Sequence, residues 1–128
     1  MTILVTARQW TLRALAQLGI ANIGAGNGVN FPINPNDVLE SLDIDVTTAF
    51  NSGTTATLTV SDGTTTFANA VDITTTGRKT VSGLGKVYTS SATLSVTLAQ
   101  TGTAATTGAA VVSPSFANTN RTTEQAGT

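Results

Sequence analysis

The sequence lacks histidine and cysteine entirely, and it has few charged or aromatic residues. Among its 128 residues, 10% are charged and 5% are aromatic. Without cysteine the chain has neither a disulfide framework nor a thiolate metal ligand. Without histidine it lacks the side chain that most often acts as general acid or base near neutral pH. These absences argue against an enzyme, and we expect no catalytic residue, no cofactor and no resident metal.

Charge is the next shortage. Six basic and seven acidic residues give a formal net charge of −1, and a charged fraction of 10% compares with about 25% in ordinary soluble domains. Nucleic-acid binding needs a basic face, so no nucleic-acid partner is predicted. The chain also contains no run of about 18 apolar residues, so no membrane-spanning helix is predicted. Two features could compensate for so few charges: the 27 threonines hydrate the exterior, and other protein subunits cover much of it. We expect a mixture of the two.

What the sequence does contain is a series of short segments in which apolar residues alternate with threonine or another polar residue. Segments 42–47, 56–60 and 93–98 are the clearest. Strict alternation puts one set of side chains on a buried face and the other in solvent, as in a half-buried antiparallel strand. Turn signals roughly every 8–12 residues separate the segments, which is typical of a β-sandwich or a small barrel. The sequence therefore predicts an all-β fold, an antiparallel β-sandwich or jelly roll of about 6–8 strands.

Two connections between the predicted strands carry specific signals. Asp62-Gly63 lies between alternating segments, and both residues tolerate the positive φ that a tight hairpin turn requires. Pro32 and Pro35 lack a backbone N–H, so the strand that contains Pro32 is predicted to lie at the edge of a sheet or to end there. The strands are expected near residues 29–33, 39–50, 56–61, 67–73, 78–84, 86–88, 93–100 and 109–113.

The first 22 residues fit two kinds of secondary structure. Thr6 and Gln9 form a capping box, Ala and Leu dominate residues 8–18, and Gly19 stands where a helix would stop. The same stretch also alternates with a period of two residues. The Ala and Leu content favours a short helix over residues 8–18. We expect an N-terminal arm or helix over residues 1–22, a β-sandwich domain over 23–117 and a flexible polar tail over 118–128.

Asp43 and Asp45 are the most closely spaced carboxylates that share a strand face. Calcium takes six to eight oxygen ligands, so this pair would need oxygens from Asp62 or Asp72 to hold the ion. No complete calcium-loop motif is present. A solvated strand face or a subunit contact is the favoured interpretation, and no metal site is predicted.

Gly24-x-Gly26-x-Gly28 is the only glycine array that suggests a phosphate site. A nucleotide loop needs backbone amides that converge at the N-terminus of a helix. This array follows no predicted strand and opens no helix, and it therefore indicates a loop.

The charges are also segregated along the chain. No acidic residue precedes Asp37, and Arg8 and Arg13 stand alone in that region. Six acidic residues then follow without a basic one, up to Asp72, before a basic group begins at Arg78. Such blocks either orient copies of the chain, head to tail or onto an oppositely charged support, or reflect ordinary surface scatter in a charge-poor chain.

Residues 42–77 resemble small head decoration, or cement, proteins of tailed bacteriophages, which have jelly-roll-like β-sandwich folds. The resemblance lies in the run Val-Thr-Thr-Ala-Phe at residues 46–50, a Gly turn, and Leu-Thr-Val-x-Asp-Gly at residues 58–63. It continues through residues 93–112 and covers about half of the chain. The first 36 residues carry no motif of such proteins.

The resemblance implies a mechanical role on the outer surface of a virion. Copies of the chain would bind the major capsid protein, bridge its neighbouring subunits and resist the pressure of packaged DNA. Closed symmetric oligomers are the norm, so a dimer or trimer is expected. Trp10 is the single large aromatic anchor, either for core packing or for a subunit contact. The candidate residues for capsid or subunit contact are Ile3, Leu4, Val5, Arg8, Trp10, Arg13, Asp43, Asp45 and Arg121.

A second class of function is a carbohydrate- or receptor-binding module of a tail fibre or surface adhesin. Thr-rich β-strands occur in such proteins as well. A glycan site would need exposed Trp or Tyr platforms beside convergent Asp or Asn. An aromatic content of 5% argues against this alternative.

Overall fold

The computed structural model describes residues 12–119 of the chain. Within them, ten strands form two antiparallel sheets, and one 3-10 turn (Ile20–Asn22) separates the second strand from the third. The predicted all-β antiparallel sandwich is confirmed, whereas jelly-roll connectivity stays a prediction. The strands are β1 (Leu12–Arg13), β2 (Ala16–Gly19), β3 (Val29–Ile33), β4 (Asp37–Thr48), β5 (Thr55–Ser61), β6 (Thr66–Asp72), β7 (Gly77–Val81), β8 (Lys86–Val87), β9 (Ala92–Thr101) and β10 (Ala109–Asn118).

β4 and β10 form the centre of the six-stranded sheet. They pair along their common length, from Ala109 opposite Thr48 to Asn118 opposite Asp37. The short strands β1 and β2 follow each other along the free side of β10, and β7 and β8 do the same along the free side of β4. The sheet is therefore four strands wide although it contains six strands.

The four-stranded sheet has the order β3-β9-β5-β6. β5 and β9 pair from Thr55 opposite Thr101 to Ser61 opposite Ser95. β3, which contains Pro32, lies at an edge, as predicted from its missing N–H. The predicted connection at Asp62 also joins an antiparallel pair, β5 and β6.

The core lies between the two sheets and follows the predicted alternation. β4 buries Leu39, Leu42, Ile44 and Val46, and its intervening residues face outward. β5 buries every second residue in the same way. Full burial of a side chain of this size contributes about 1.5–3 kcal/mol. The fully buried side chains from the opposing sheet include Ile33, Leu58, Val60, Leu94, Val96 and Leu98.

The helix expected over residues 8–18 is wrong for its described part, which forms β1 and β2. Leu18 is buried, and Ala14 and Ala16 pack against the core, so the period-two alternation was the better guide. The physical reason is that β10 offers a row of backbone groups with which this segment pairs, and pairing over a long range overrides helix propensity. Among residues 12–119, no helix has the length and apolar character needed to cross a membrane.

β10 extends five residues beyond the predicted end at Ser113, up to Asn118. Pro114 caused the shorter prediction, because proline is rare inside a sheet. Ser113 and Ser115 are buried despite their polarity, and this hides the usual alternation. Ser113 Oγ donates a hydrogen bond of 2.9 Å to the backbone oxygen of Ala14 in the segment between β1 and β2. The first residue of the predicted C-terminal tail is therefore part of the sheet.

The Gly24-x-Gly26-x-Gly28 segment forms the predicted loop. It crosses β9 at close range, because the backbone N–H of Gly24 donates to the oxygen of Leu98 at 2.9 Å. A Cβ on Gly28 would lie 2.0 Å from the backbone oxygen of Val96. The glycine at position 28 is thus required by the approach of two backbones.

Candidate functional site

The outward side of the six-stranded sheet carries most of the charged side chains that the sequence analysis singled out. In an antiparallel sheet, residues that lie directly opposite each other point to the same side. Asp43 lies between Ser113 of β10 and Thr80 of β7. Asp45 lies in the next outward row, between Val111 and Arg78. We call this surface the charged face: Arg13, Leu15, Asp43, Asp45, Arg78, Thr80, Val111 and Ser113.

Asp43 is the centre of the charged face. Its Oδ2 forms ion pairs with Arg13 and with Arg78 Nη2, the latter at 2.8 Å, and its Oδ1 accepts a hydrogen bond of 2.8 Å from Thr80 Oγ1. The Thr80 hydroxyl and the Arg78 guanidinium hold the pKa of the Asp43 carboxyl below its ordinary value near 3.8, although partial burial opposes them. Its side chain is only 15% exposed, so two arginines neutralise one shielded carboxylate.

Asp45 differs from Asp43 in having no ion pair with any described residue. It lies beside Arg78 in register, but Arg78 reaches diagonally to Asp43 instead. The side chains of Arg13 and Arg78 remain 50% and 61% exposed. The charged face thus presents an excess positive charge around Asp43 and an uncompensated negative charge at Asp45.

Apolar side chains border these charges. Leu15, in the segment between β1 and β2, is 64% exposed. Leu15 and Val111 help to line an open depression of about 320 Å³ between the arginines and the aspartates. Exposed apolar groups beside charged ones are typical of surfaces that contact another protein.

The outward side of the four-stranded sheet has a different character. Its central rows consist of hydroxyl and methyl groups, and neither β5 nor β9 contains a charged residue. Directly opposed pairs on this side are Thr57 and Ala99, Thr59 and Thr97, and Ser61 and Ser95. The sandwich therefore has one charged side and one hydroxyl-rich side, and the candidate site lies on the charged one.

The structure brings together three of the residues named from the sequence: Arg13, Asp43 and Asp45. The remaining candidates Ile3, Leu4, Val5, Arg8, Trp10 and Arg121 lie outside the described residues. The sequence analysis missed Arg78, Thr80 and Leu15. The basic group that begins at Arg78 after an acidic block was the available signal, because pairing of β4 with β7 places one block beside the other.

A second polar cluster joins the ends of β5 and β8. Asp62 Oδ1 accepts backbone hydrogen bonds from Thr64 at 2.8 Å and Thr65 at 2.6 Å, and its Oδ2 accepts from Tyr88 Oη at 2.9 Å. Lys86 Nζ lies 5.8 Å from the centre of the Tyr88 ring. Burial raises the pKa of Asp62, but the donated hydrogen bonds outweigh it and leave this pKa below its ordinary value. The cluster closes a turn and links the two sheets.

The carboxylates that calcium would require beside Asp43 and Asp45 lie elsewhere. Asp62 bonds within its own turn, and Asp72 Oδ1 accepts from the backbone N and the hydroxyl of Thr74 at 2.9 and 2.6 Å. Within residues 12–119, no three His, Cys, Asp or Glu side chains are grouped as metal ligands. The arrangement around Asp43 suits contact with a charged or polar surface.

Comparison with protein-family models, curated proteins and solved structures finds no match to this chain. The interpretation of the charged face therefore depends on its own geometry and on the resemblance carried by residues 42–77.

Proposed function

We propose that the chain is a structural virion protein that binds the outer surface of a tailed-bacteriophage capsid and stabilises it by bridging major capsid subunits. The observation that carries the proposal is the location of the resembling segment, residues 42–77. This segment includes the second half of β4, all of β5 and β6, and Gly77 at the start of β7. It supplies a large part of the core and also Asp43 and Asp45 of the charged face.

The proposed mechanism is the addition of buried interface to an assembled lattice. A protein that binds only the assembled state stabilises that state by mass action. Many copies on one capsid multiply a modest gain per site through avidity. No chemical step is needed, which agrees with a sequence that has neither histidine nor cysteine.

Two parts of the chain are the proposed contacts with the capsid or with further copies. One is the charged face, where Arg13, Asp43 and Asp45 lie beside the exposed Leu15. The other is the chain termini, with Ile3, Leu4, Val5, Arg8, Trp10 and Arg121. Under this proposal the sandwich is a jelly roll located on the outer surface of the virion, and the chain is a homo-oligomer.

The burial of the aromatic residues favours this proposal over a glycan-binding module. Phe31, Phe50, Tyr88 and Phe116 are buried, and Phe67 packs against the core. Of the aromatic residues in the described part of the chain, none forms an exposed platform on which a sugar ring could stack. A structural surface needs no such platform.

Cosedimentation of the purified protein with phage capsids that lack their decoration protein tests the proposal. We expect saturable binding at a fixed number of copies per capsid subunit, together with a raised melting temperature of the capsid. Deletion of residues 1–6 tests the arm, and unchanged binding would exclude it as a contact. Absence of capsid binding, with a positive signal on a glycan array, would replace the proposal by the binding-module alternative.

A further inference from the structure

The edges of the two sheets are poorly suited to pairing with another chain. Pro32 interrupts the N–H row of β3, and Ala70 in β6 has a φ of 49° at an irregular part of its pairing with β5. Lys79 of β7 lies opposite Ile44, on the core side of an edge strand. Prolines, irregularities, inward charges and very short strands all block the addition of a further strand. Association of copies through a sheet face is therefore favoured over association through an edge.

The charged face has the charge distribution that a two-fold contact with itself requires. In a two-fold interface, each residue that contacts a second residue is itself contacted by that residue's copy. Arg78 is 61% exposed, and within the described part of the chain its one ion-pair partner is Asp43, which it shares with Arg13. Asp45 has no ion pair among the described residues and lies one strand away from Arg78. Two arginines and two aspartates make the face neutral as a whole, and both arginines pair with Asp43.

We propose that the charged face is a two-fold interface between two copies of this chain, in which Asp45 of each copy pairs with Arg78 of the other. This arrangement gives Asp45 an ion-pair partner, which it lacks among residues 12–119. It also covers Leu15, which is 64% exposed beside these charges. A purely basic or acidic face would instead have indicated a partner of opposite net charge.

The size of the face agrees with a weak but specific dimer. Four strands span about 19 Å, and the ten residues of β10 span about 34 Å. The whole outward side of the six-stranded sheet, of which the charged face is one part, therefore covers about 650 Å², which is below the ~800 Å² per partner of a standard interface. For so polar a surface we expect a dissociation constant of about 1–100 µM.

This inference goes beyond the proposed function and does not require the capsid. The sequence analysis left two roles open for Arg13, Asp43 and Asp45, namely contact with the capsid or contact with another subunit. The two-fold interface assigns them to contact with another subunit. Attachment to the capsid would then involve other parts of the chain. Because the dimer is measured on the purified protein alone, failure of the dimer and failure of capsid binding are separate results.

Sedimentation equilibrium of the wild-type chain and of charge-reversed variants tests the interface. Asp45→Lys and Arg78→Glu each place like charges opposite each other twice, and each is expected to raise the dissociation constant at least about tenfold. Lys79→Glu is the matched control, because it reverses a charge on the same strand but on the opposite side. It is expected to leave the dissociation constant within about twofold of the wild type.

Mixing the two reversed variants provides the sharper measurement. In a mixed dimer the substituted position 45 of one chain meets the substituted position 78 of the other, and the second contact retains its native residues. At a protein concentration near the wild-type dissociation constant, we expect the mixture to dimerise while each variant alone is mainly monomeric, with circular dichroism spectra of folded β protein throughout. A wild-type chain that is monomeric at about 1 mM, or a trimer, would overturn the proposal. So would variants that dimerise like the wild type, or a mixture that stays monomeric.

Discussion

Tyr88 donates a hydrogen bond of 2.9 Å from its hydroxyl to Asp62 Oδ2, and this bond joins the two sheets. Asp62 directly follows β5 of the four-stranded sheet, whereas Tyr88 directly follows β8 of the six-stranded one. Tyr88 is only 7% exposed, so its hydroxyl has little access to water as an alternative partner. Burial and the adjacent carboxylate both raise the pKa of Tyr88 above its ordinary value near 10.

Tyr88→Phe is expected to lower the free energy of unfolding by about 1–2 kcal/mol, because a hydrogen bond to a charged acceptor is lost. In the folded wild type the Tyr88 hydroxyl keeps its proton, whereas in the unfolded chain it loses this proton above about pH 10. The stability of the folded wild type therefore falls as pH rises through that range. The variant should lack this part of the alkaline decline. Urea denaturation at pH 7 and at pH 10.5 measures both effects. If the free energy of unfolding fell by the same amount between pH 7 and pH 10.5 in both proteins, Tyr88 would not be the source of the alkaline decline.

Asp43 should contribute to an acid-dependent part of the stability. Its pKa in the folded state lies below the ordinary value near 3.8, so its contribution is present above that value and is lost as pH falls further. Asp43→Asn should cost about 0.5–1 kcal/mol at pH 7, as expected for partly exposed ion pairs, and should flatten the stability profile below pH 4. Thermal melts in dilute solution from pH 7 to pH 2 measure this. Asp45→Asn, which breaks no ion pair among the described residues, is the control and should change stability by less than about 0.5 kcal/mol.

Gly28→Ala should destabilise the fold by more than about 2 kcal/mol, because its new Cβ would lie 2.0 Å from the backbone oxygen of Val96. The loop and β9 cannot separate without loss of the hydrogen bond between Gly24 and Leu98. Gly19→Ala is the matched control, since its Cβ would lie at an ordinary contact distance of 3.7 Å from the backbone oxygen of Gly108. Differential scanning calorimetry distinguishes the two variants. Similar melting temperatures for both would show that the backbones are farther apart than described.

Leu58→Ala should cost about 2–5 kcal/mol, because this side chain is fully buried between the sheets and its removal leaves a cavity. Leu15→Ala removes the same atoms from a side chain that is 64% exposed. That control should change stability by less than about 0.5 kcal/mol. Guanidinium denaturation followed by far-ultraviolet circular dichroism provides the comparison. A large effect at position 15 would mean that Leu15 is covered within the monomer.

Local patterns predicted most of the sandwich. Alternation in residues 42–47 and 56–60 correctly indicated β4 and β5, because the pattern of side chains along a strand is set by the burial of one face. The helix prediction for Leu12 to Gly19 was wrong because the Ala and Leu residues of this stretch favour a helix locally. The strand with which the segment actually pairs, β10, lies about a hundred positions away in the sequence. Propensity describes only the near neighbours of a residue in the chain.

The candidate site was predictable only in part for a related reason. Asp43 and Asp45 share a face within one strand, which alternation reveals directly. Arg78 and Thr80 join them through the register of β4 with β7, across 35 and 37 positions of sequence. No single-sequence pattern specifies which distant strands pair, so the ion pairs around Asp43 become visible only in the folded chain.

The pairing of β1 with the end of β10 has a practical consequence for engineering. Leu12 lies opposite Phe116 in antiparallel register, so the chain enters and leaves the described fold at one pole. A peptide or domain joined directly to Leu12 or to Thr119 would be attached at that pole. A short linker from Thr119 to Leu12 should also permit circular permutation of residues 12–119, with new ends opened at a surface turn such as the one at Gly63.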